Sequence, residues 1–153
     1  MDIYMQILDL IGDSANANFP GSKGWFVVES YSWGVAVVDS TWVAGKSSTQ
    51  TFNVQRQSTP HSSALMLIAA KAAALKSVVI ALTQTLSGKE VIITQYTLAP
   101  VFPVGYSVSA DNGSPQTEAI SFLPEMVTYE QFPPTSGAAP ITHTWNFKTN
   151  TGS

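Results

Sequence analysis

The side chains able to do chemistry in this chain are few and scattered. Two histidines, ten carboxylates and many serines are the whole stock for acid–base or nucleophilic work, and cysteine is absent. Without thiols there are no disulfides, thiolate metal sites or cysteine nucleophiles. A metal centre needs several convergent ligands, and no spacing around His61 or His143 supplies them. His61 falls in the first turn of a helix, a poor place for its cation. His143 falls on an aromatic strand face, and both histidines read as structural or surface residues. A serine hydrolase needs Ser, His and an acid in contact, yet no Gly-x-Ser-x-Gly elbow occurs. Gly21-Ser22-Lys23-Gly24 holds a lysine without the frame of a phosphate loop. A glycosidase-like pair of acids remains. Glu125 and Glu130 fall on opposite faces of a regular strand unless Pro124 shifts the register, so solvated strand faces are the simpler reading. No catalytic, metal or cofactor residue is assigned, and no cofactor is expected.

Binding chemistry is better represented. The four tryptophans, Trp25, Trp33, Trp42 and Trp145, could form a platform for sugars. Trp33 and Trp145 sit in alternating strands and read as core. Trp42 sits in a Gly- and Ser-containing loop, where it has few ways to hide within one molecule, so a neighbouring subunit is its natural cover. Seven Lys and Arg are spread thinly from Lys23 to Lys148 and the formal net charge is −3. Phosphate binding needs a basic face, so nucleic acid is excluded as a partner.

The elements that must position these residues follow from the patterning. Charged residues make up 11% of the chain and hydrophobic ones 44%, against about a quarter charged in an average soluble domain. Such a surface is either built of uncharged polar groups or covered by other subunits. The 153 residues suit one domain, residues 1–153, with a real core. The longest apolar run, Ala64 to Leu75, is broken by Lys71 and too short to span a membrane. Met1-Asp2 opens on an acid rather than a basic segment, so no signal peptide is expected and synthesis is cytoplasmic.

Asp2 to Leu8 reads as a strand, and residues 12 to 24 as a loop. Trp25 to Val38 reads as one strongly bent strand or two, with Trp25, Val27, Tyr31, Trp33, Val35 and Val37 on one face and Gly34 allowing close approach. Asp39 to Gln50 is expected to be a loop with Gly45-Lys46-Ser47-Ser48 at its tip. Thr51 to Gln57 is a strand. Thr59 is a good N-cap and Pro60 a good first helical residue. Leu65, Ile68, Ala69, Ala72 and Leu75 then recur at helical spacing, to an end near Lys76. Val78 to Leu98 reads as a hairpin turning at Leu86-Ser87-Gly88-Lys89. Val101 to Ala110 places Phe102, Val104, Tyr106 and Val108 on one face. Thr117 to Gln131 is a strand interrupted at Pro124, and Ile141, His143, Trp145 and Phe147 share a face of the last strand. Thr149 to Ser153 is expected to be a loose end. Seven to nine strands with one helix suit two packed antiparallel sheets or a closed barrel.

Five of these segments carry a resemblance in the same order. They are Asp2 to Ile7; Glu29 to Val35 with its Ser30-x-Ser32-Trp33-Gly34; Thr59-Pro60 followed by Leu65; Glu118 to Phe122 with Glu125, Val127 and Tyr129; and Trp145-Asn146-Phe147 with Asn150. Together they resemble the Hcp family, the tube-forming protein of bacterial type VI secretion systems. Thr144 stands in place of the family's glycine before Trp145, Asn53 to Thr59 lacks the usual acids and lysines, and the helix is unusually rich in alanine. The resemblance implies a mainly β fold, an antiparallel barrel of two packed sheets with one flanking helix. Tyr31, Trp33, Gly34, Trp145 and Phe147 would be its core motif, and Thr59 and Pro60 its helix start. It further implies hexameric rings that stack into a tube, with sheath, spike and baseplate proteins as partners and effectors in the lumen. The tube would be expelled without a signal peptide and have no catalytic residues. The loop after Trp33-Gly34 would contact neighbouring subunits, which marks Asp39, Thr41, Trp42, Val43 and Lys46 as interface candidates. The competing readings are a monomeric carbohydrate- or surface-binding β-sandwich and, more distantly, a small hydrolase using His143 or Glu125.

Overall fold

The computed structural model describes residues 1–37, 47–134 and 137–153. The described residues form thirteen strands, one α-helix and a single 3-10 turn at Gly21–Lys23. Seven strands form one antiparallel sheet, in the order β13 (Thr151–Gly152), β12 (Ile141–Asn146), β11 (Met126–Gln131), β8 (Lys89–Leu98), β7 (Val78–Leu86), β1 (Asp2–Ile7) and β2 (Trp25–Val28). Four form a second sheet, in the order β3 (Ser30–Ser32), β6 (Phe52–Gln57), β10 (Thr117–Pro124) and β9 (Val101–Ser109). A separate hairpin pairs β4 (Val35–Val37) with β5 (Ser47–Thr49). Helix α1 (Ser62–Lys71) packs chiefly against β9.

The chain crosses between the two sheets through α1, from β6 to β7, and at three direct corners: β2 to β3 through Glu29, β8 to β9 through Ala99-Pro100, and β10 to β11 through Glu125. Backbone hydrogen bonds stitch each corner, from Glu29 N to Gln55 O, Ala99 N to Met126 O, and Glu125 N to Pro100 O. Two sheets joined in this way enclose one core. Met5, Ile7, Phe26, Phe52, Ile80, Leu98, Ile120 and Phe122 are fully buried in it. A smaller cluster, Tyr4, Phe19 and Ala81 with Trp25 and Ile92, seals the outer side of β1 under the loop that follows it. Tyr4 and Phe19 stack there with ring centroids 4.5 Å apart.

Several expectations need correction, each for a local reason. In the Trp25 to Val38 segment the described residues, 25–37, form three strands, and the inward parity flips at Glu29. Phe26 and Val28 are buried while Val27 is exposed, whereas beyond the corner Tyr31 and Trp33 face the core. The Val101 to Ala110 strand carries a bulge, because Ser121 faces Gly105 and Phe122 faces Pro103, leaving Val104 as the extra residue. Val101 and Pro103 are therefore buried while Phe102 and Val104 point outward. Pro103 is tolerated because β9 is an edge strand. Ser47 and Ser48 belong to a strand rather than a loop tip. The last residues are not loose: β13 pairs with Trp145 and Asn146, and Thr144 and Ser153 exchange backbone hydrogen bonds.

The helix also differs at both ends. His61 is the N-cap residue of α1, because Ser62 N bonds Thr59 O in a tight turn that delays the helix past Pro60. The Thr59 hydroxyl still accepts the His61 N–H at 3.3 Å, and Ser62 Oγ accepts the Thr59 N–H at 2.8 Å. At the other end Ala72 adopts φ 51° and its N–H bonds Ile68 O and Ala69 O, so the helix stops at Lys71 rather than Lys76.

Candidate functional site

Two regions stand out, one polar and buried, the other apolar and uncovered. The polar one lies where β2, β6, β9, β10 and the start of α1 meet. Phe52, Val54 and Arg56 alternate inward on β6, as do Glu118, Ile120 and Phe122 on β10, and the register sets Arg56 directly opposite Glu118. Both are buried, Arg56 to 1% and Glu118 to 2% exposure. Arg56 Nη1 donates to Glu118 Oε1 and Nη2 to Asp13 Oδ2, while Nε donates to Val27 O at 3.0 Å. Its guanidinium also lies 5.2 Å over the Phe26 ring. Around the two carboxylates every side-chain contact is a donor. Tyr106 OH reaches Glu118 Oε2 at 2.6 Å, Ser62 Oγ reaches Glu118 Oε1 at 2.9 Å, and Thr59 Oγ1 reaches Asp13 Oδ2 at 2.6 Å. Val27 N–H occupies Asp13 Oδ1 at 3.1 Å. Burial, with the Glu118 bond second, pushes the Tyr106 hydroxyl up to about 12. The cluster is satisfied and closed, so it fastens elements together and presents nothing to a substrate.

The apolar region lies at the β11–β12–β13 end of the larger sheet. The core-facing side of that sheet runs on past the residues that the smaller sheet covers. Ile141 is 68% exposed and Trp145 36%. An open groove of about 550 Å³ lies there, walled by Trp33, Val35, Val127, Tyr129, Trp145 and Phe147. A second hollow, of about 630 Å³, lies by β5 and is lined by Phe102, Leu123, Pro124 and Phe147. Ser47 lines both, so the β4–β5 hairpin stands between them. Val35 and Val37 of that hairpin are 50% and 63% exposed.

The residues expected to matter fall in different places. Tyr31, Trp33 and Phe147 pack in or on the aromatic core, where Trp33 lies 5.9 Å from Tyr96 and 6.4 Å from Phe147 between ring centroids. Trp33 Nε1 donates to Thr49 Oγ1 at 2.9 Å, which ties β3 to the hairpin. Trp145 is corrected from core to groove wall, because β12 extends beyond the covering sheet. A side chain at Gly34 would meet the Gln50 side chain at 2.8 Å, and Gly34 O accepts the Gln50 N–H. Asp39, Thr41, Trp42, Val43 and Lys46 lie outside the described residues. His143 lines the groove and Glu125 the second hollow, so the two do not share a site. Among the described residues no three His, Asp or Glu side chains converge as a metal site. No described helix is long and apolar enough to cross a membrane.

Sequence reasoning missed Asp13, Arg56 and the partners of Glu118. A signal was present: Arg56 and Glu118 each occupy an inward position of an otherwise apolar alternation. A charge of each sign at inward positions of two strands is the pattern of a buried pair.

A family model described as "Type VI secretion system effector, Hcp" matches residues 4–130. No curated protein sequence matches the chain. Among solved structures, the fold is similar to a type six secretion system protein at 21% identity and TM-score 0.86, covering 99% of both chains. It is similar to Hcp1 from Salmonella typhimurium at 17% identity and TM-score 0.82, covering 99% of this chain and 98% of that one. A type VI secretion system effector from Yersinia pestis matches at 17% identity and TM-score 0.77, over 95% of this chain and 99% of that one. The match over most of the sequence, carried on this fold, places the chain in the Hcp family of type VI secretion systems.

Proposed function

We propose that this chain is a structural subunit of the type VI secretion tube and not an enzyme. Residues 1–153 act as one tube domain, six copies close into a ring, and rings stack. The tube carries small effectors in its lumen and is expelled with them when the surrounding sheath contracts, beside spike and baseplate proteins. Secretion then needs no signal peptide. The observation that supports this most is the uncovered apolar end. Val35 and Trp145, which wall the open groove, and Val37 and Ile141 on the same strands are at least a third exposed, and patches of this kind mark protein–protein surfaces. Asp39, Thr41, Trp42, Val43 and Lys46, which lie in sequence between β4 and β5, are proposed as further interface residues.

Electron microscopy of the purified protein tests the reading. Rings with a central hole are expected, and fields of single small particles at high concentration would refute it. Trp42→Ala should weaken assembly and leave the monomer folded; unchanged assembly would remove the loop from the interface. A glycan-binding monomer is favoured by one feature, the aromatic walls of the groove. It predicts tryptophan fluorescence that responds to sugars in a protein that never assembles.

A further inference from the structure

Helix α1 has little apolar anchorage. Of its ten residues only Ser62 and Leu65 are buried. Met66 and Leu67 are 48% and 49% exposed, and Ile68 packs on the core only in part. A helix of this length is marginal alone in water, where about 12–15 residues are needed even with favourable composition. What distinguishes its docking is the polar contact at its N-terminus. Ser62 Oγ donates to Glu118 and accepts the Thr59 N–H, and the Thr59 hydroxyl donates to Asp13. Both carboxylates are in turn held by Arg56. Past its other end, residues 72–74 are exposed until Leu75 exchanges backbone hydrogen bonds with Val101.

We infer that α1 is a latched cover over the core beside β9, held shut by its N-terminal hydroxyls on the Asp13–Arg56–Glu118 cluster, and that it opens as a unit while the two sheets stay closed. The turn at Ser58-Thr59-Pro60 and the exposed stretch 72–74 are its hinges. Opening bares Leu65 and uncovers β9, an edge strand of the smaller sheet. Local openings of this kind draw on elements with few buried apolar contacts. The inference concerns the single chain and stands apart from the tube reading.

Hydrogen–deuterium exchange of the full chain, read by peptide, tests it. In the unaltered protein, amides of residues 66–72 should exchange at least about tenfold faster than those of β7 and β8. Ser62→Ala, which removes a hydroxyl on the helix side of the latch, should raise the α1 rates about tenfold more and leave β7 and β8 unchanged. Tyr106→Phe removes an equivalent hydroxyl from the same carboxylate, but from the β9 side, and should leave the α1 rates within about twofold. Exchange of α1 in step with β7 and β8 would overturn the inference. So would a Ser62→Ala effect that is absent or uniform, or a Tyr106→Phe effect on α1 equal to it.

Discussion

The polar corner and the apolar groove lie in the same barrel and invert the usual arrangement of a small soluble protein. At the corner, a guanidinium and one carboxylate are shut away from water and a second carboxylate is partly buried, with partners supplied from within the chain. At the β12 end and the neighbouring hairpin, Val35, Val37, Ile141 and Trp145 are each at least a third exposed. Among the described residues, no buried side-chain nitrogen or oxygen lacks a hydrogen-bond partner. The polar interior is thus satisfied within one copy. The contrast teaches where to test each role: stability at the corner, and the proposed association at the groove.

The largest effect should come from breaking the corner. Arg56→Met leaves the buried Glu118 and the partly buried Asp13 without their cation and should destabilise the chain by about 3–5 kcal/mol. Denaturant unfolding of the monomer measures this. Replacing Glu118 by Leu in the same chain should recover part of the loss, since removing both partners costs less than orphaning one. Equal losses in the single and double variants would mean that the pair acts only through packing.

The groove should behave in the opposite way. Trp145→Ala should cost the monomer about 1–2 kcal/mol, against about 3–5 kcal/mol for Phe52→Ala in the closed core. Sedimentation should show assembly weakened by the first variant far more than its stability loss explains. A stability loss for Trp145→Ala as large as that for Phe52→Ala would erase the distinction between the two regions.

The smallest effect concerns pH. The Tyr106 hydroxyl is held up to about 12, first by burial and then by its bond to Glu118. A raised folded value means that its contribution is fully present below about pH 10, its ordinary value, and is lost as pH rises through the folded one. Ultraviolet titration should show a late tyrosinate step that Tyr106→Phe removes. Retention of that step in the variant would assign it elsewhere, Tyr96 being raised further by its own burial.

Much of this contrast was legible in the residues, and the rest was hidden by geometry that spans strands. The alternations of β1 and β6, and that of β7 as far as Ile80, fall where their periods place them, as does the inward side of α1 at Leu65, whereas the β7–β8 pairing shifts register beyond Leu82. The parity flip at Glu29 was not visible, because a strand that changes sheets keeps its pattern while exchanging its faces. The bulge at Val104 reversed Phe102 for a similar reason: an inserted residue shifts everything on one side of it. Arg56 looked like an interruption of an apolar strand, and only the cross-strand register with Glu118 explains it. Trp145 alternates as a core residue should, but its strand extends past the sheet that would cover it. The polar corner was thus readable in principle from two inward charges, whereas the bare groove needed the layout of both sheets.

The most direct test of the whole account is the mass of the purified chain in solution. Native mass spectrometry should return a dominant species of six copies of the 16.4 kDa chain, which Trp145→Ala depletes. A single 16.4 kDa species that persists at high concentration would contradict it.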